Sequence, residues 1–243
     1  MTRIVYFVFG ILAYAVFFFT FLYAIGFVGN AVVPKSIDSG PVESTATALA
    51  VNLALLGAFA VQHSTMARRW FKERWTRVVP QPIERSLYVL VASLLLLLLF
   101  GMWRPMPRVI WSVSNPTASS ALSAISYFGW ALVLYGSFLI DHFDLFGLRQ
   151  VYLHLRGRSY TRPAFVKPWL YQVVRNPLML GFLIAFWFAP EMTLGHLLFA
   201  AATTGYIFIG VFLEERDLAH HLGEDYRRYR ERTSMILPFP RFR

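Results

Sequence analysis

Long apolar runs separated by shorter polar segments set the pattern of this chain. An α-helix needs about 20 apolar residues to cross a bilayer. On that criterion the pattern predicts six crossing helices, over residues 4–28, 44–62, 86–103, 121–140, 178–189 and 192–213. The predicted fold is therefore an all-α, polytopic integral membrane protein whose last two helices form a hairpin. The fifth run, 178–189, is too brief for a full crossing, so its helix must be short, tilted or extended backwards through Trp169.

The first apolar run is predicted to stay in the protein as a membrane span. Arg3 precedes it, and the run continues for about 25 residues, which is longer than the apolar core of a signal peptide. A clear cleavage site of small residues is missing as well. Its dense aromatic residues are expected to face lipid.

Composition agrees with a membrane protein and excludes several kinds of chemistry. Hydrophobic residues make up 57% of the 243 residues and charged residues only 15%, with a mean hydropathy of +0.51. A soluble domain carries more charge than this. Cysteine is absent, which excludes disulfides, thiolate metal sites and a cysteine nucleophile.

The basic residues predict the orientation of the chain in the membrane. Of the 23 Lys and Arg, six crossings place 20 on the side of the two termini and 3 on the other side. Because basic loops stay in the cytoplasm, both termini are expected there, in a bacterial inner membrane. The net charge of +10 is then explained by an anionic lipid surface, and nucleic acid is not an expected partner. Residues 63–85, basic and rich in tryptophan, are expected to contain an interfacial helix.

Polar clusters bracket the predicted hairpin. Arg175, Asn176 and Pro177 precede its first helix, and Glu214 and Glu215 end its second. Asparagine is common at the N-cap of a helix and proline at its first position, so a helix is expected to begin here. The backbone N–H groups of its first turn would then be available to an acceptor. The two clusters are expected to meet at one membrane surface.

These clusters carry a resemblance to a known group of enzymes. The positions that carry it are Arg175, Asn176, Pro177, Gly181, Glu214, Glu215, Leu218, Gly223, Tyr226 and Tyr229. They resemble the cofactor signature of the isoprenylcysteine carboxyl methyltransferase superfamily, membrane enzymes that use S-adenosylmethionine. At position 176 this chain has asparagine, where many members of that superfamily have histidine. Asn176 cannot take a role that needs an imidazole, but it is compatible with the same turn.

Further segments resemble the branch of that superfamily that methylates methanethiol. They are HSTMAR at 63–68, ERSLYV at 84–89, DHFDLFGLRQ at 141–150 and GHLLFA at 195–200. The resemblance covers essentially the whole chain. It implies one membrane methyltransferase domain over 1–243, with a cofactor-binding core over about 141–243, that converts methanethiol to dimethyl sulfide. A small thiol and the lipid bilayer are the partners it implies.

The chemistry of the donor explains the residue types of this signature. A sulfonium cation that carries an amino acid and an adenosine favours carboxylates, aromatic rings and amide donors. The residues predicted to bind the cofactor are Tyr171, Arg175, Asn176, Pro177, Gly181, Glu214, Glu215, Tyr226 and Tyr229. Glu215 is expected to hold the amino group or the ribose at the membrane surface, although a carboxylate there can equally pair with a nearby arginine. Tyr226 and Tyr229 lie three residues apart and share a helical face.

Methyl transfer from a neutral thiol also needs a base, and histidine is the natural candidate. His142 lies between Asp141 and Asp144, either of which can orient its ring, so His142 and Asp144 are predicted to be catalytic. His63 is the second candidate base. The alternative is that His142 only caps a helix and that Asp144 belongs to a loop network with Arg149 and Gln150.

Other functions agree less well with the residues. Adjacent histidines such as His220 and His221 point about 100° apart on a helix, so no metal site is predicted. Methylation of a lipid or prenylated substrate, or a membrane reductase of the sterol-reductase type, stays open as an alternative. A transporter is disfavoured because the chain shows neither internal repeats nor charges within its spans.

Overall fold

A computed structural model describes residues 1–161 and 168–238, without the side chains of 221 and 222. Helices dominate these ranges, which confirms the prediction of an all-α polytopic fold. They are α1 (Thr2–Gly29), α2 (Thr45–Ala67), α3 (Arg69–Trp75), α4 (Gln81–Met102), α5 (Pro116–Ile140), α6 (His142–Leu145), α7 (Leu148–Leu155), α8 (Trp169–Val173), α9 (Pro177–Trp187), α10 (Leu194–Leu222) and α11 (Glu224–Arg232). Two short strands, β1 (Val109–Ser112) and β2 (Glu191–Thr193), complete the described elements.

Within the described residues, five helices are long and apolar enough to cross a membrane: α1, α2, α4, α5 and α10. They match five of the six predicted spans. The remaining span corresponds to α9, whose 11 residues extend roughly 16 Å. Val174, which is extended, separates α9 from α8, so the helix is short and does not continue backwards through Trp169. The sequence had left a short, a tilted or a backward-extended helix open at this position, and the structure shows a short one.

The described residues form two compact units, and the prediction of a single domain stays a prediction. The first unit holds Met1–Arg108 and residues 141–161, and the second holds Val109–Ile140 and residues 168–238. Residues 141–161, assigned from the sequence to the cofactor-binding core, therefore pack with the first unit.

In the first unit, α1 packs against α4 and α7, and α2 packs against α4. Phe27 of α1 is fully buried, with its ring centroid 4.6 Å from that of Phe100. The expectation that the aromatic residues of α1 face lipid is thus only partly correct, because some of them build the core. Phe18 and Phe19 remain exposed.

The segment predicted to contain an interfacial helix does contain a short helix, α3, and its position at the membrane interface stays a prediction. Phe71 and Trp75 pack against a buried cluster that contains Met66 and Tyr88. The Arg74 guanidinium lies over the Trp70 ring, 5.5 Å from its centroid. One face of this basic helix therefore anchors it to the first unit.

The second unit is built on a close antiparallel contact between α5 and α9. A Cβ atom at Gly181 would lie 2.7 Å from the Gly129 carbonyl oxygen and 2.8 Å from the Val133 amide nitrogen, so only glycine fits there. The Ser126 hydroxyl donates to the Ala185 carbonyl, 2.8 Å away, further along the same contact. The structure shows Gly181 in a helix-packing position, and its predicted contact with the cofactor stays a prediction.

A strand pair that the sequence did not predict follows the short α9. β1 and β2 pair antiparallel, with Val109 opposite Thr193, and the Trp111 indole donates to the Ala189 carbonyl. Beyond the short α9 the chain therefore continues in extended form as β2, which pairs with β1 in the loop before α5. The full-length helix α10 begins directly after β2.

Candidate functional site

His142, the predicted base, lies in the first unit at the start of α6. Its ring is 2% exposed, and its Nε2 lies 2.8 Å from the Tyr14 hydroxyl. The Phe146 ring packs beside it, with centroids 4.8 Å apart. Burial lowers the pKa of His142 below its usual range, since a charged imidazole loses hydration there. At neutral pH the ring is therefore neutral and can accept a proton.

The carboxylates that flank His142 serve the surrounding loop. Asp141 has a positive φ of 105° and caps α6 by accepting the Asp144 amide at 3.1 Å. Asp144 accepts from Arg149 at 3.0 Å and from the Tyr160 hydroxyl at 3.1 Å. The loop network is thus the alternative that the structure shows for Asp144, and the Tyr14 hydroxyl is a partner of the imidazole that the sequence did not predict.

Sequence reasoning missed Tyr14 altogether. It lies 128 residues before His142 in a helix whose aromatic residues were expected to face lipid. The available signal was its hydroxyl, which it shares in this aromatic helix with Tyr6 and Tyr23. A hydroxyl buried in a membrane helix requires a partner, which is the argument that could have identified it.

His63, the second candidate base, lies near the end of α2. Its Nε2 is 2.9 Å from the Tyr88 hydroxyl, and its ring stacks on Phe59 with centroids 5.1 Å apart. Tyr88 belongs to the buried cluster against which Phe146 packs. Since Phe146 also contacts the ring of His142, both candidate bases border one aromatic cluster of the first unit.

In the second unit, the two predicted polar clusters meet, as the sequence predicted. The Arg175 Nε lies 2.6 Å from Glu215 Oε1, and its Nη2 lies 2.9 Å from Oε2. Both residues are buried, with 7% and 5% of their surface exposed. The Arg230 guanidinium adds a longer contact of 3.5 Å to Glu215. Glu215 is therefore a buried ion-pair partner of Arg175, the alternative that the sequence had left open, and its contact with the donor stays a prediction.

The residues that lead into α9 are bonded to a later part of the chain, and the predicted open amides of the first helical turn stay a prediction. Pro177 is the first helical residue, as predicted, but the Asn176 side chain does not cap the helix. Its amide group donates to the Met235 carbonyl at 3.1 Å, as does its backbone N–H. The Arg175 N–H donates to the Ser234 carbonyl at 2.8 Å. The two amides before the helix are thus occupied by the chain itself.

Three tyrosines group together beside this ion pair. The rings of Tyr226 and Tyr229, both in α11, are buried with centroids 5.8 Å apart, as expected from their spacing. The Tyr229 hydroxyl donates to the Tyr171 carbonyl at 2.5 Å. Burial, with the Glu215 carboxylate nearby, raises the pKa of Tyr226 to about 12, and burial raises that of Tyr229 to about 12. Both phenols are therefore neutral.

Glu214 is the exposed acid of this group. Burial is the main cause that raises the pKa of Tyr171, and the charges of Tyr229 and Glu214 add to it. The charge of Glu214 also raises the pKa of Tyr226. An exposed carboxylate next to neutral aromatic rings is an arrangement that attracts cations.

The remaining histidines do not add a metal centre within the described residues. No group of three or more His, Cys, Asp or Glu there has the geometry to hold a metal ion. The side chain of His221 lies outside the described residues. His196 is buried in the second unit, with its Nε2 2.9 Å from the Phe186 carbonyl oxygen, so it joins α10 to α9.

Comparisons with known proteins show extensive similarity along the whole chain. Methanethiol S-methyltransferase 1 of Bradyrhizobium diazoefficiens is 56% identical over 98% of this chain and 84% of its own. Methanethiol S-methyltransferase of Mycobacterium tuberculosis is 54% identical over 99% of this chain and 98% of its own. The Crocosphaera subtropica protein of the same name is 46% identical, over 98% and 94%. No protein-family model and no solved structure matches the chain.

Proposed function

The chain belongs to the methanethiol S-methyltransferase family, and from this premise we propose that it methylates methanethiol with S-adenosylmethionine as the donor. The observation that carries the proposal is the similarity to these enzymes from one end of the chain to the other. The chain is a methyltransferase embedded in the membrane through its apolar helices. The identity of its methyl donor and the orientation of the chain in the membrane are proposed as well.

When bound, S-adenosylmethionine supplies an electrophilic methyl carbon, which passes by in-line displacement to the thiolate sulfur and yields dimethyl sulfide and S-adenosylhomocysteine. The chain must therefore provide a place for a cation with an aromatic base, and a group that takes the proton of the thiol.

The tyrosine group of the second unit fits the donor. Glu214 is exposed and carries a negative charge that suits an ammonium or sulfonium group. Tyr171, Tyr226 and Tyr229 offer neutral rings against which an adenine can pack. We propose that these four residues contact the donor, while Arg175, Asn176 and Pro177 shape the start of α9 beneath them.

The first unit supplies the candidate base. His142 is neutral and buried, so it can take the thiol proton onto a ring nitrogen, with His63 as the second candidate. An apolar groove of about 560 Å³ runs along α2, lined by Ala54, Gly57, Ala58, Val61, Gln62, Thr65, Met66 and Phe71. A small apolar thiol partitions readily into lipid and into such a groove.

Calorimetry and product analysis test the proposal. Purified protein in detergent is expected to bind S-adenosylhomocysteine and not NADPH. With S-adenosylmethionine and methanethiol it is expected to release dimethyl sulfide, measured by gas chromatography of the headspace. Binding of NADPH alone would indicate a reductase. Methylation of a prenylated cysteine in place of methanethiol would indicate the larger substrate class.

We further propose that both termini and the donor site face the cytoplasm. The distribution of basic residues supports this orientation. Reporter fusions at Asn115 and Glu191 are expected outside, and fusions at Arg158 and at the C-terminus inside. The fusions at Asn115 and Glu191 should report the same side of the membrane and so control for each other. The Val113 N–H donates to the Pro190 carbonyl, which joins the two loops. An external C-terminus would contradict the orientation.

A further inference from the structure

The chain returns to the start of α9 after α11 ends. We call residues 233–236 the carboxyl-terminal strap. Its carbonyls at Ser234 and Met235 accept the backbone N–H groups of Arg175 and Asn176. Val174 and Ser234 form a parallel bridge at the same place. The strap therefore lies alongside the residues that lead into α9.

The strap also holds the Arg175 side chain. Arg175 Nη1 donates to the Thr233 carbonyl, and to the Arg230 carbonyl at 3.0 Å. Its other two nitrogens bind Glu215. These contacts occupy four of the five N–H donors of the guanidinium, so a ligand carboxylate that binds two of them would have to displace a protein partner. Its contacts indicate a residue that joins three segments of the chain.

Ile236 anchors the strap to the helices. Its side chain is 1% exposed and lies in a cluster with Ile207 and Val211 of α10. Met179 and Leu180 of α9 pack against the same cluster. This apolar side chain has no group that recognises a charged donor, so it acts on the site only through the position of the strap.

We infer that the strap is a positioning element of the donor site, acting through Arg175 and Glu215 on Glu214. This inference rests on the proposed function, in which the second unit holds S-adenosylmethionine. Successive side chains on a helix point about 100° apart. When the ion pair fixes Glu215 in the interior, Glu214 is directed outward toward the tyrosine group. The strap thereby sets the position of the Glu214 carboxylate.

Ile236→Ala tests the inference, with Leu99→Ala as the matched control. Leu99 is equally buried, at 1% exposure, but lies in the first unit. We expect Ile236→Ala to weaken S-adenosylhomocysteine binding about 10- to 100-fold, by analogy with the rate cost of a misplaced site. Leu99→Ala should leave it within about 2-fold, since it removes a side chain of the same size from the core of the other unit. Hydrogen exchange at the Arg175 and Asn176 amides should rise in Ile236→Ala alone.

Two further variants keep the result interpretable if Ile236→Ala folds poorly. Ile236→Val removes one methylene and should restore binding to within about 3-fold of the unmodified protein. Adding Glu214→Gln to Ile236→Ala should cost less affinity than Glu214→Gln costs alone, because the carboxylate is then no longer held in place, whereas adding it to Ile236→Val should cost nearly as much as Glu214→Gln alone.

Distinct outcomes would overturn the inference. Unchanged binding in Ile236→Ala, with faster exchange at the two amides, would show that a released strap leaves the site intact. Equal losses in Ile236→Ala and Leu99→Ala would reduce the effect to general destabilisation. Full additivity with Glu214→Gln would separate the strap from Glu214. If the unmodified protein fails to bind S-adenosylhomocysteine, the donor assignment itself fails, and the inference with it.

Discussion

Glu215→Leu is expected to destabilise the protein severely and to abolish methyl transfer. The substitution leaves the Arg175 guanidinium buried without its carboxylate, and breaking a buried pair in this way costs about 3 to 5 kcal/mol. Folded proteins are stable by only about 5 to 15 kcal/mol, so the loss is a large fraction of the total. Unfolding by titration with SDS in mixed micelles, followed by circular dichroism, measures the change.

A double variant separates the buried charge from general packing. In Arg175→Met/Glu215→Leu both charges are replaced by apolar side chains, which is often close to neutral for stability. We expect the double variant to recover much of the stability lost in Glu215→Leu without recovering donor binding.

Glu214→Leu is the matched control for the ion pair, because Glu214 is the exposed neighbour in the same helix. Its stability should stay within about 0.5 kcal/mol of the unmodified protein. A Glu215→Leu variant as stable as Glu214→Leu would contradict the buried ion pair.

His142→Ala is expected to lower turnover about 10²- to 10⁴-fold while S-adenosylhomocysteine affinity stays nearly constant. The deficit should shrink as pH rises, because more of the thiol is then ionised without a base. Burial lowers the pKa of His142, so the loss of activity in the unmodified protein should begin below pH 6.5, the usual histidine value. This loss of activity at low pH, the acid limb of the pH profile, should disappear in His142→Ala. Initial rates of dimethyl sulfide formation across pH provide the measurement.

Two variants serve as references for His142. Tyr14→Phe removes only the hydroxyl that contacts Nε2, so it should shift the acid limb and keep most of the turnover. His63→Ala shows whether the second candidate is needed for the same step. Normal turnover of His142→Ala at neutral pH would reject the proton-accepting role. A loss of equal size at every pH would indicate that His142 only orders its loop.

The sequence predicted those features that depend on neighbouring residues. Five spans follow from apolar runs, because each helix satisfies its own backbone hydrogen bonds and needs only length and apolarity to lie in lipid. Pro177 begins α9 because its fixed φ suits a first helical turn and because it has no N–H to leave unpaired. Tyr226 and Tyr229 share a face through their spacing alone.

Tertiary structure decided the partners of the polar residues. Glu215 pairs with Arg175 across 40 positions, the Arg175 guanidinium binds the Thr233 carbonyl across 58, and His142 contacts Tyr14 across 128. Local periodicity carries no information at these separations, so a carboxylate at the end of a span could be read as a ligand or as an ion-pair partner. Burial resolved the choice, because a charge removed from water requires an opposite charge beside it, and only the folded chain determines which charge that is.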